Sequence, residues 1–185
     1  MAPSHEEAGA PPGFPSLSEE AGRLLRRRGL RLAVAESCTG GLLGARLTAV
    51  AGSSDYFLGG VVAYANEVKV GLLGVRPETL ERHGAVSASC AAEMAAGIRR
   101  RLGAEVGLSV TGVAGPGGGS AEKPVGLVYV GMDGPAGARV RELRLAGSRD
   151  EVREGAVRSI LEWLCRELAL PGPGEPPPPE GSPTP

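Results

Sequence analysis

The feature that most constrains this chain is the alternation of short apolar runs with helical patterns between residues 16 and 169. The runs at 30–36 and 105–112 are typical of buried strands, and the segments between such runs are typical of helices. The runs at 124–133 and 138–147, separated by the turn sequence GPAG, predict an antiparallel hairpin. This order predicts a single layered α/β/α domain around a mixed, mostly parallel sheet.

Both ends of the chain differ in composition from this folded part. Residues 1–15 are rich in Pro, Gly and Ala, and the last 15 residues contain eight prolines. Neither segment offers enough apolar side chains for a core. We therefore predict disordered segments at 1–15 and 170–185, on either side of one domain at 16–169.

Charge and cysteine usage exclude several classes of protein. The formal net charge is -1, so charge does not indicate a nucleic-acid partner. No apolar stretch is long enough to span a membrane, and no signal-peptide pattern precedes the domain, which favours a cytoplasmic protein. The three cysteines are widely spaced, and no His, Cys, Asp or Glu spacing predicts a disulfide framework or a metal site.

A serine follows the first predicted strand, in the stretch AESCTGG at residues 35–41. A nucleophile at this strand-to-helix turn would lie near backbone N–H groups that could hold an oxyanion, at Thr39–Gly41. The alternative is structural, because Ser37 or Thr39 could simply cap the helix. The stretch is not a G-x-S-x-G elbow, since Ala35 and Thr39 occupy the glycine positions.

A candidate base lies in the stretch VVAYANEVKV at residues 61–70. Lys69 is one of two lysines in a chain with 18 arginines. We expect Asn66 to cap a short helix whose first turn holds Lys69, where the positive end of the helix dipole and burial would lower the pKa of the lysine. Arginine could not serve as a base, because it stays protonated. Tyr64 could relay a proton or orient the lysine, or could merely pack at the rim of the sheet.

The glycine-rich loop GVAGPGGGS is the third polar cluster that follows a strand. It is not a Walker A loop, but its bare N–H groups could approach an anion or an amide, and Lys123 beyond it could contact phosphate. A plain flexible loop is the alternative. Because ligands gather at the carboxyl ends of parallel strands, the three clusters predict one site at that edge of the sheet.

Taken together, the stretches AESCTGG, AGSSDYFLGGVVAYANEVK, HGAVS and SVTGVAGPGGGSAEKPVGLVYV resemble the CinA C-terminal domain family over residues 17–168. That family includes nicotinamide-nucleotide amidohydrolases. The chain resembles their stand-alone form, since it is too short to include the N-terminal domain of full-length members.

The resemblance implies that the chain hydrolyses the carboxamide of nicotinamide mononucleotide (NMN), within pyridine nucleotide salvage and without a metal or cofactor. It assigns the nucleophile to Ser37, the base to Lys69 and an assisting role to Tyr64; whether Lys69 acts directly or through Tyr64 stays open. Arg149 would face the ligand phosphate, although GSR replaces the family's usual GDR-like motif here. By motif match, the residues that line the substrate pocket are Thr39, Gly40, Gly41, Asn66, Thr111, Gly112, Gly115 and Arg149.

Two other functions remain open on the sequence. One is a non-enzymatic interaction module associated with competence or DNA damage, and the other is a nucleotide-binding module that uses the glycine loop alone. Neither would need both Ser37 and Lys69. The resemblance also implies a homo-oligomer, at least a dimer.

Overall fold

A computed structural model describes residues 16–135 and 137–170. The predicted disordered segments at 1–15 and 170–185 lie outside the described residues, except for Leu170. The helices and strands follow in the order α1 (Leu17–Arg28), β1 (Leu32–Glu36), α2 (Leu42–Thr48), a 3₁₀ turn (Ser53–Asp55), β2 (Phe57–Val62), α3 (Asn66–Leu73), α4 (Pro77–His83), α5 (Ala88–Leu102), β3 (Val106–Gly112), β4 (Leu127–Asp133), β5 (Arg139–Arg144) and α6 (Arg149–Ala169).

The five strands form one sheet in the order β2-β1-β3-β4-β5. β1 pairs in parallel with β2 and β3, whereas β4 is antiparallel to both β3 and β5. Four of the five strands therefore point the same way. The prediction of a mixed, mostly parallel sheet with one hairpin is confirmed.

Helices cover both faces of the sheet, as the sequence predicted. Alternate residues of β1 point to opposite faces: Leu32 and Val34 join a core with α1, α2 and α6, and Ala33 and Ala35 join a core with α3, α4 and α5. This alternation follows from the two-residue period of a strand. Because both faces are covered, β1 is buried along its whole length.

Local sequence signals set both ends of several helices. Ser16 and Ser148 accept backbone N–H bonds in complete capping boxes with Glu19 and Glu151. Gly29 ends α1 in the left-handed conformation. Such caps can be recognised in a sequence, since a capping box joins two residues only three positions apart.

Candidate active site

A cavity of about 280 Å³ opens at the edge of the sheet where β1, β2 and β3 end. These three strands are parallel, so their carboxyl ends meet there. Seven of the predicted site residues line the cavity: Ser37, Tyr64, Lys69, Thr111, Gly112, Gly115 and Arg149. The sequence therefore predicted which strand ends form the site.

Ser37 is the first residue after β1 and is 9% exposed. Its N–H donates to the carbonyl of Val110 at 2.9 Å, which extends the pairing of β1 with β3 by one residue. The side chain is thus held at the floor of the cavity by the sheet itself.

Lys69 reaches the same point from α3 and is 1% exposed. Its Nζ lies 3.2 Å from Ser37 Oγ, 2.7 Å from the Ala63 carbonyl oxygen and 3.2 Å from the Tyr64 carbonyl oxygen. As an ammonium it would donate to all three. As a neutral amine it would donate two hydrogens to the carbonyls and accept the Ser37 hydroxyl proton on its lone pair.

Burial lowers the pKa of Lys69, and the nearby Cys90 and Cys38 thiols raise it only in part. No carboxylate forms an ion pair with Lys69 among the described residues, so desolvation of the charged form is not offset by an opposite charge. The site therefore makes the neutral form of Lys69 easier to reach than in an exposed lysine, and a neutral lysine beside a serine hydroxyl can act as its base.

Tyr64 lies at the mouth of the cavity and is 63% exposed. Its hydroxyl accepts a hydrogen bond from Arg149 Nη2 at 3.3 Å, and Arg149 Nη1 donates to the Gly115 carbonyl at 2.7 Å. In the described part of the chain no hydrogen bond joins the Tyr64 hydroxyl to Ser37 or Lys69. Arg149 thus links the loop after β2 to the glycine-rich loop after β3.

The Thr39–Gly41 turn lies behind Ser37 and does not line the cavity. The Gly40 N–H donates to the Ser37 carbonyl at 3.1 Å, and the Gly41 N–H donates to the Glu36 carboxylate at 3.0 Å. Two of the three amides expected to hold an oxyanion are therefore already bonded. Within the described residues, no other residue accepts a hydrogen bond from the amides of Cys38 and Thr39, and Cys38, whose amide contacts its own thiol, lines the cavity.

The expectation that Asn66 caps α3 is wrong. Ala65 has the extended backbone of an N-cap, Asn66 is the first helical residue, and no side chain caps this end. Asn66 is exposed and does not line the cavity. Lys69 still lies in the first turn, because the helix begins only three residues before it.

The loop after β3 closes the other side of the cavity. Thr111 is buried and its hydroxyl donates to the Ala85 carbonyl at 2.8 Å, while Gly115 lies beside Arg149. Lys123, considered as a phosphate contact, instead donates to the His83 carbonyl at the end of α4.

Cys38 lines the cavity next to Ser37, but it is a poor nucleophile. Burial raises the pKa of its thiol to about 11. The thiol is therefore protonated near neutral pH, and the thiolate is the reactive form. Ser37, by contrast, lies within hydrogen-bond distance of Lys69, whose pKa is lowered. Ser37 is therefore the candidate nucleophile with an adjacent base.

Some residues of the site were not predicted from the sequence. Ala85, Val86, Gly117 and Gly118 line the cavity. Two more, Glu36 and Arg153, hold the turn that carries Ser37. For Glu36 a signal existed: a carboxylate at the end of a fully apolar strand must find hydrogen-bond donors when buried.

The described residues contain no group of three or more His, Cys, Asp or Glu placed to hold a metal ion. None of their helices combines the length and apolar character needed to cross a bilayer.

Fold and site together define a three-layer α/β domain with a buried serine–lysine pair in a strand-end cavity. The model of the CinA C-terminal domain family matches residues 15–168, and the chain belongs to this family. A CinA-like protein of Thermosynechococcus vestitus is 56% identical over 151 residues, which cover 80% of this chain and 36% of that protein. A CinA-like protein of a Cyanothece species is 54% identical over 155 residues, 83% of this chain and 37% of that protein.

Solved structures of related proteins have a similar fold. The competence/damage inducible protein CihA of Agrobacterium tumefaciens matches with a TM-score of 0.79 at 44% identity, over 85% of this chain and 98% of that one. A CinA superfamily protein of Klebsiella pneumoniae matches with a TM-score of 0.80 at 38% identity, over 83% and 96% of the two chains. The chain spans less than two fifths of the length of the curated relatives it matches.

Proposed function

We propose that the protein hydrolyses the carboxamide of NMN to nicotinate mononucleotide and ammonia, as a step of pyridine nucleotide salvage. The observation that carries the proposal is the buried Lys69 Nζ, 3.2 Å from Ser37 Oγ, with a pKa lowered by burial. A neutral amine at this distance can take the hydroxyl proton directly. Membership of the CinA C-terminal domain family is consistent with the proposal.

In the first half-reaction, Ser37 gives its proton to Lys69 as Oγ bonds to the carboxamide carbon. The Cys38 amide is the proposed donor to the oxyanion that forms. The carbon–nitrogen bond then breaks, and Lys69 passes the proton to the leaving nitrogen, which departs as ammonia. In the second half-reaction, water loses a proton to Lys69 and attacks the acyl carbon, and Ser37 recovers its proton as the ester bond breaks.

Arg149 is the proposed contact for the phosphate of the substrate. Its guanidinium is bonded to two neutral groups, the Gly115 carbonyl and the Tyr64 hydroxyl. No carboxylate forms an ion pair with it in the described ranges 16–135 and 137–170, so its charge is available to an anion at the mouth of the cavity. In this proposal Tyr64 orients Arg149 and the substrate, and the short Nζ–Oγ distance supports proton transfer without a tyrosine relay.

Ammonia release from NMN by the purified protein tests the proposal. Ser37→Ala and Lys69→Arg should each reduce kcat by at least about a hundredfold, since both remove the proton transfer. Ser54→Ala changes an exposed serine of the 3₁₀ turn and should keep wild-type activity.

Two results would contradict the proposal. If the wild-type protein releases no ammonia above the blank, the amidase function fails, and NMN binding measured by calorimetry would then favour a binding module. If Lys69→Arg is as active as wild type, the neutral-base mechanism fails even though the enzyme function stands.

A further inference from the structure

Glu36 is a buried carboxylate immediately before the candidate nucleophile. It is the last residue of β1 and is 2% exposed. Its oxygens accept hydrogen bonds from the N–H groups of Gly41, Leu43 and Gly44 at 3.0, 3.0 and 2.8 Å. These amides form the start of α2, so the carboxylate compensates the unpaired donors and the positive end of that helix.

Arg153 holds the same turn from the opposite side. Its guanidinium, on α6, donates to the Thr39 carbonyl from Nη2 at 2.9 Å and from Nε at 3.3 Å. The third nitrogen, Nη1, donates to Asp150 at 3.1 Å, which fixes the plane of the group. The turn between β1 and α2 is thus tied both to the end of its own strand and to a helix from the end of the chain.

The turn needs such support because of its backbone. Gly40 and Gly41 have φ values of 60° and 97°, in the left-handed region that glycine populates without penalty but also without rigidity. Ser37 opens this turn, and its Oγ must stay within hydrogen-bond reach of Lys69. A displacement of about 1 Å can cost on the order of a hundredfold in rate.

We propose that Glu36 and Arg153 are positioning residues that fix the Ser37 turn relative to Lys69. Neither residue lines the cavity, so neither would contact the substrate. The kinetic part of this inference rests on the proposed amidase function, but the geometric part does not, because the place of Ser37 beside Lys69 can be measured without substrate.

Three variants test the proposal. Glu36→Gln keeps the size of the side chain but directs an NH₂ group toward backbone donors. Arg153→Met removes both bonds to Thr39 and keeps much of the length. Arg158→Met is the matched control, because Arg158 is an exposed arginine on the same helix, five residues further on.

Two readouts are combined. The first is kcat and KM for ammonia release from NMN, at a temperature where circular dichroism shows every variant folded. The second is the ¹³Cε signal of Lys69 in protein labelled with ¹³C-lysine. The chain has two lysines, so Lys123 supplies an internal reference. The Lys69→Arg variant assigns the signals.

We expect Glu36→Gln and Arg153→Met to lower kcat by at least about tenfold with KM within about threefold of wild type. The Lys69 signal should move in both variants, while the Lys123 signal and all properties of Arg158→Met stay unchanged. A purely structural role would lower the melting temperature and leave kcat and the Lys69 signal as in wild type, and that result overturns the proposal.

The outcome is separable from that of the proposed function. If the wild-type protein does not hydrolyse NMN, the amidase proposal fails, and the Lys69 signal alone decides the positioning role. A signal that moves in both variants supports it, and an unmoved signal overturns it.

Discussion

An ammonium at Lys69 would occupy a site that is 1% exposed and offers two carbonyls and a hydroxyl. Burial lowers the pKa of Lys69, because water that would solvate the charge is excluded. The neutral amine, which is the proposed base, therefore forms at lower pH than in an ordinary lysine. Two consequences of this single pKa shift can be measured, one in activity and one in stability.

The first prediction concerns the pH profile of ammonia release. The value of kcat/KM should rise tenfold per pH unit and reach a plateau above the pKa of Lys69, because only the neutral amine accepts the Ser37 proton. The ¹³Cε signal of Lys69 should titrate at the same midpoint, below that of a lysine in a model peptide. A profile that falls as pH rises through this midpoint would contradict the role of Lys69 as a base.

The second prediction concerns stability. Between the lowered pKa of folded Lys69 and the ordinary lysine pKa, the unfolded chain binds more protons than the folded one, so the contribution of Lys69 to the free energy of unfolding increases with pH. Lys69 is therefore least favourable to folding below its folded-state pKa, and this cost disappears as the pH rises toward the ordinary lysine pKa. We expect Lys69→Met to abolish activity but to raise the free energy of unfolding at pH 7 by about 1 kcal/mol.

Urea unfolding at pH 7 and at pH 10 measures this gain, which should shrink at the higher pH. Lys123→Met is the matched control. It removes a hydrogen bond to the His83 carbonyl and should give no gain at either pH. A Lys69→Met protein less stable than wild type at pH 7 would show that the lysine contributes more through its three hydrogen bonds than it costs in desolvation.

At the scale of elements, signals that lie within a few residues of each other predicted the structure well. The capping boxes at Ser16 and Ser148 mark the first turns of α1 and α6, since each depends on one turn of chain. Asn66 failed as a cap because the backbone, not the residue type, decides where a helix begins: Ala65 is still extended and Asn66 is already helical. Propensity alone could not locate that change.

The site was predictable as far as strand order could be inferred. Ser37 and Lys69 are 32 residues apart in sequence. Ser37 follows β1 and Lys69 lies on the helix after β2, so the parallel pairing of the two strands brings both residues to the same edge of the sheet. The hydrogen bonds by which Glu36 and Arg153 hold the Ser37 turn were not predictable. They depend on the path of the turn and on how α6 packs across it. Arg153 lies 114 residues from Thr39, and nothing in the local sequence of either predicts the contact.

The third prediction concerns the packing of α3, the helix that carries Lys69, against α5. A Cβ added at Gly97 in α5 would lie 1.8 Å from the backbone oxygen of Leu73, at the end of α3. Gly97→Ala must therefore separate the two helices, and we expect it to destabilise the protein by about 2 kcal/mol or more and to lower activity.

Gly71→Ala is the matched control, since Gly71 is exposed within α3 and a Cβ there meets nothing within 4 Å. Alanine favours helix over glycine, so this change should stabilise by up to about 1 kcal/mol and keep activity. Thermal unfolding of both variants measures the difference. Equal effects of the two substitutions would mean that α3 and α5 can separate without cost.

At the scale of the whole molecule, the two edges of the sheet differ in charge. β5 forms one edge and carries three arginines at positions 139, 141 and 144. Charged side chains on an edge strand discourage pairing with another chain. β2 forms the other edge, and its sequence FLGGVV has no charged residue. The sheet is therefore protected at one edge and open to pairing at the other.

The fourth prediction follows from this difference. The resemblance to the CinA C-terminal domain family implies a homo-oligomer, at least a dimer, and we expect antiparallel pairing of β2 with the β2 strand of a second copy to form it. Leu58→Lys places a charge on this edge and should shift the protein to monomer, while Leu102→Lys should not. The two leucines are equally exposed, at 38% and 37%, but Leu102 is the last residue of α5 and does not belong to the β2 edge.

Light scattering after size exclusion, over a range of protein concentrations, distinguishes these outcomes. A wild-type protein that is monomeric throughout would contradict the oligomer itself, and an unchanged assembly in Leu58→Lys would exclude the β2 edge as its interface.

Pairing through β2 would also affect the candidate active site. β2 leads directly into Tyr64, which lies at the mouth of the cavity beside Arg149. If β2 pairs with a second copy, the dissociated Leu58→Lys protein should also bind NMN more weakly, since the strand that positions Tyr64 would lose its neighbour.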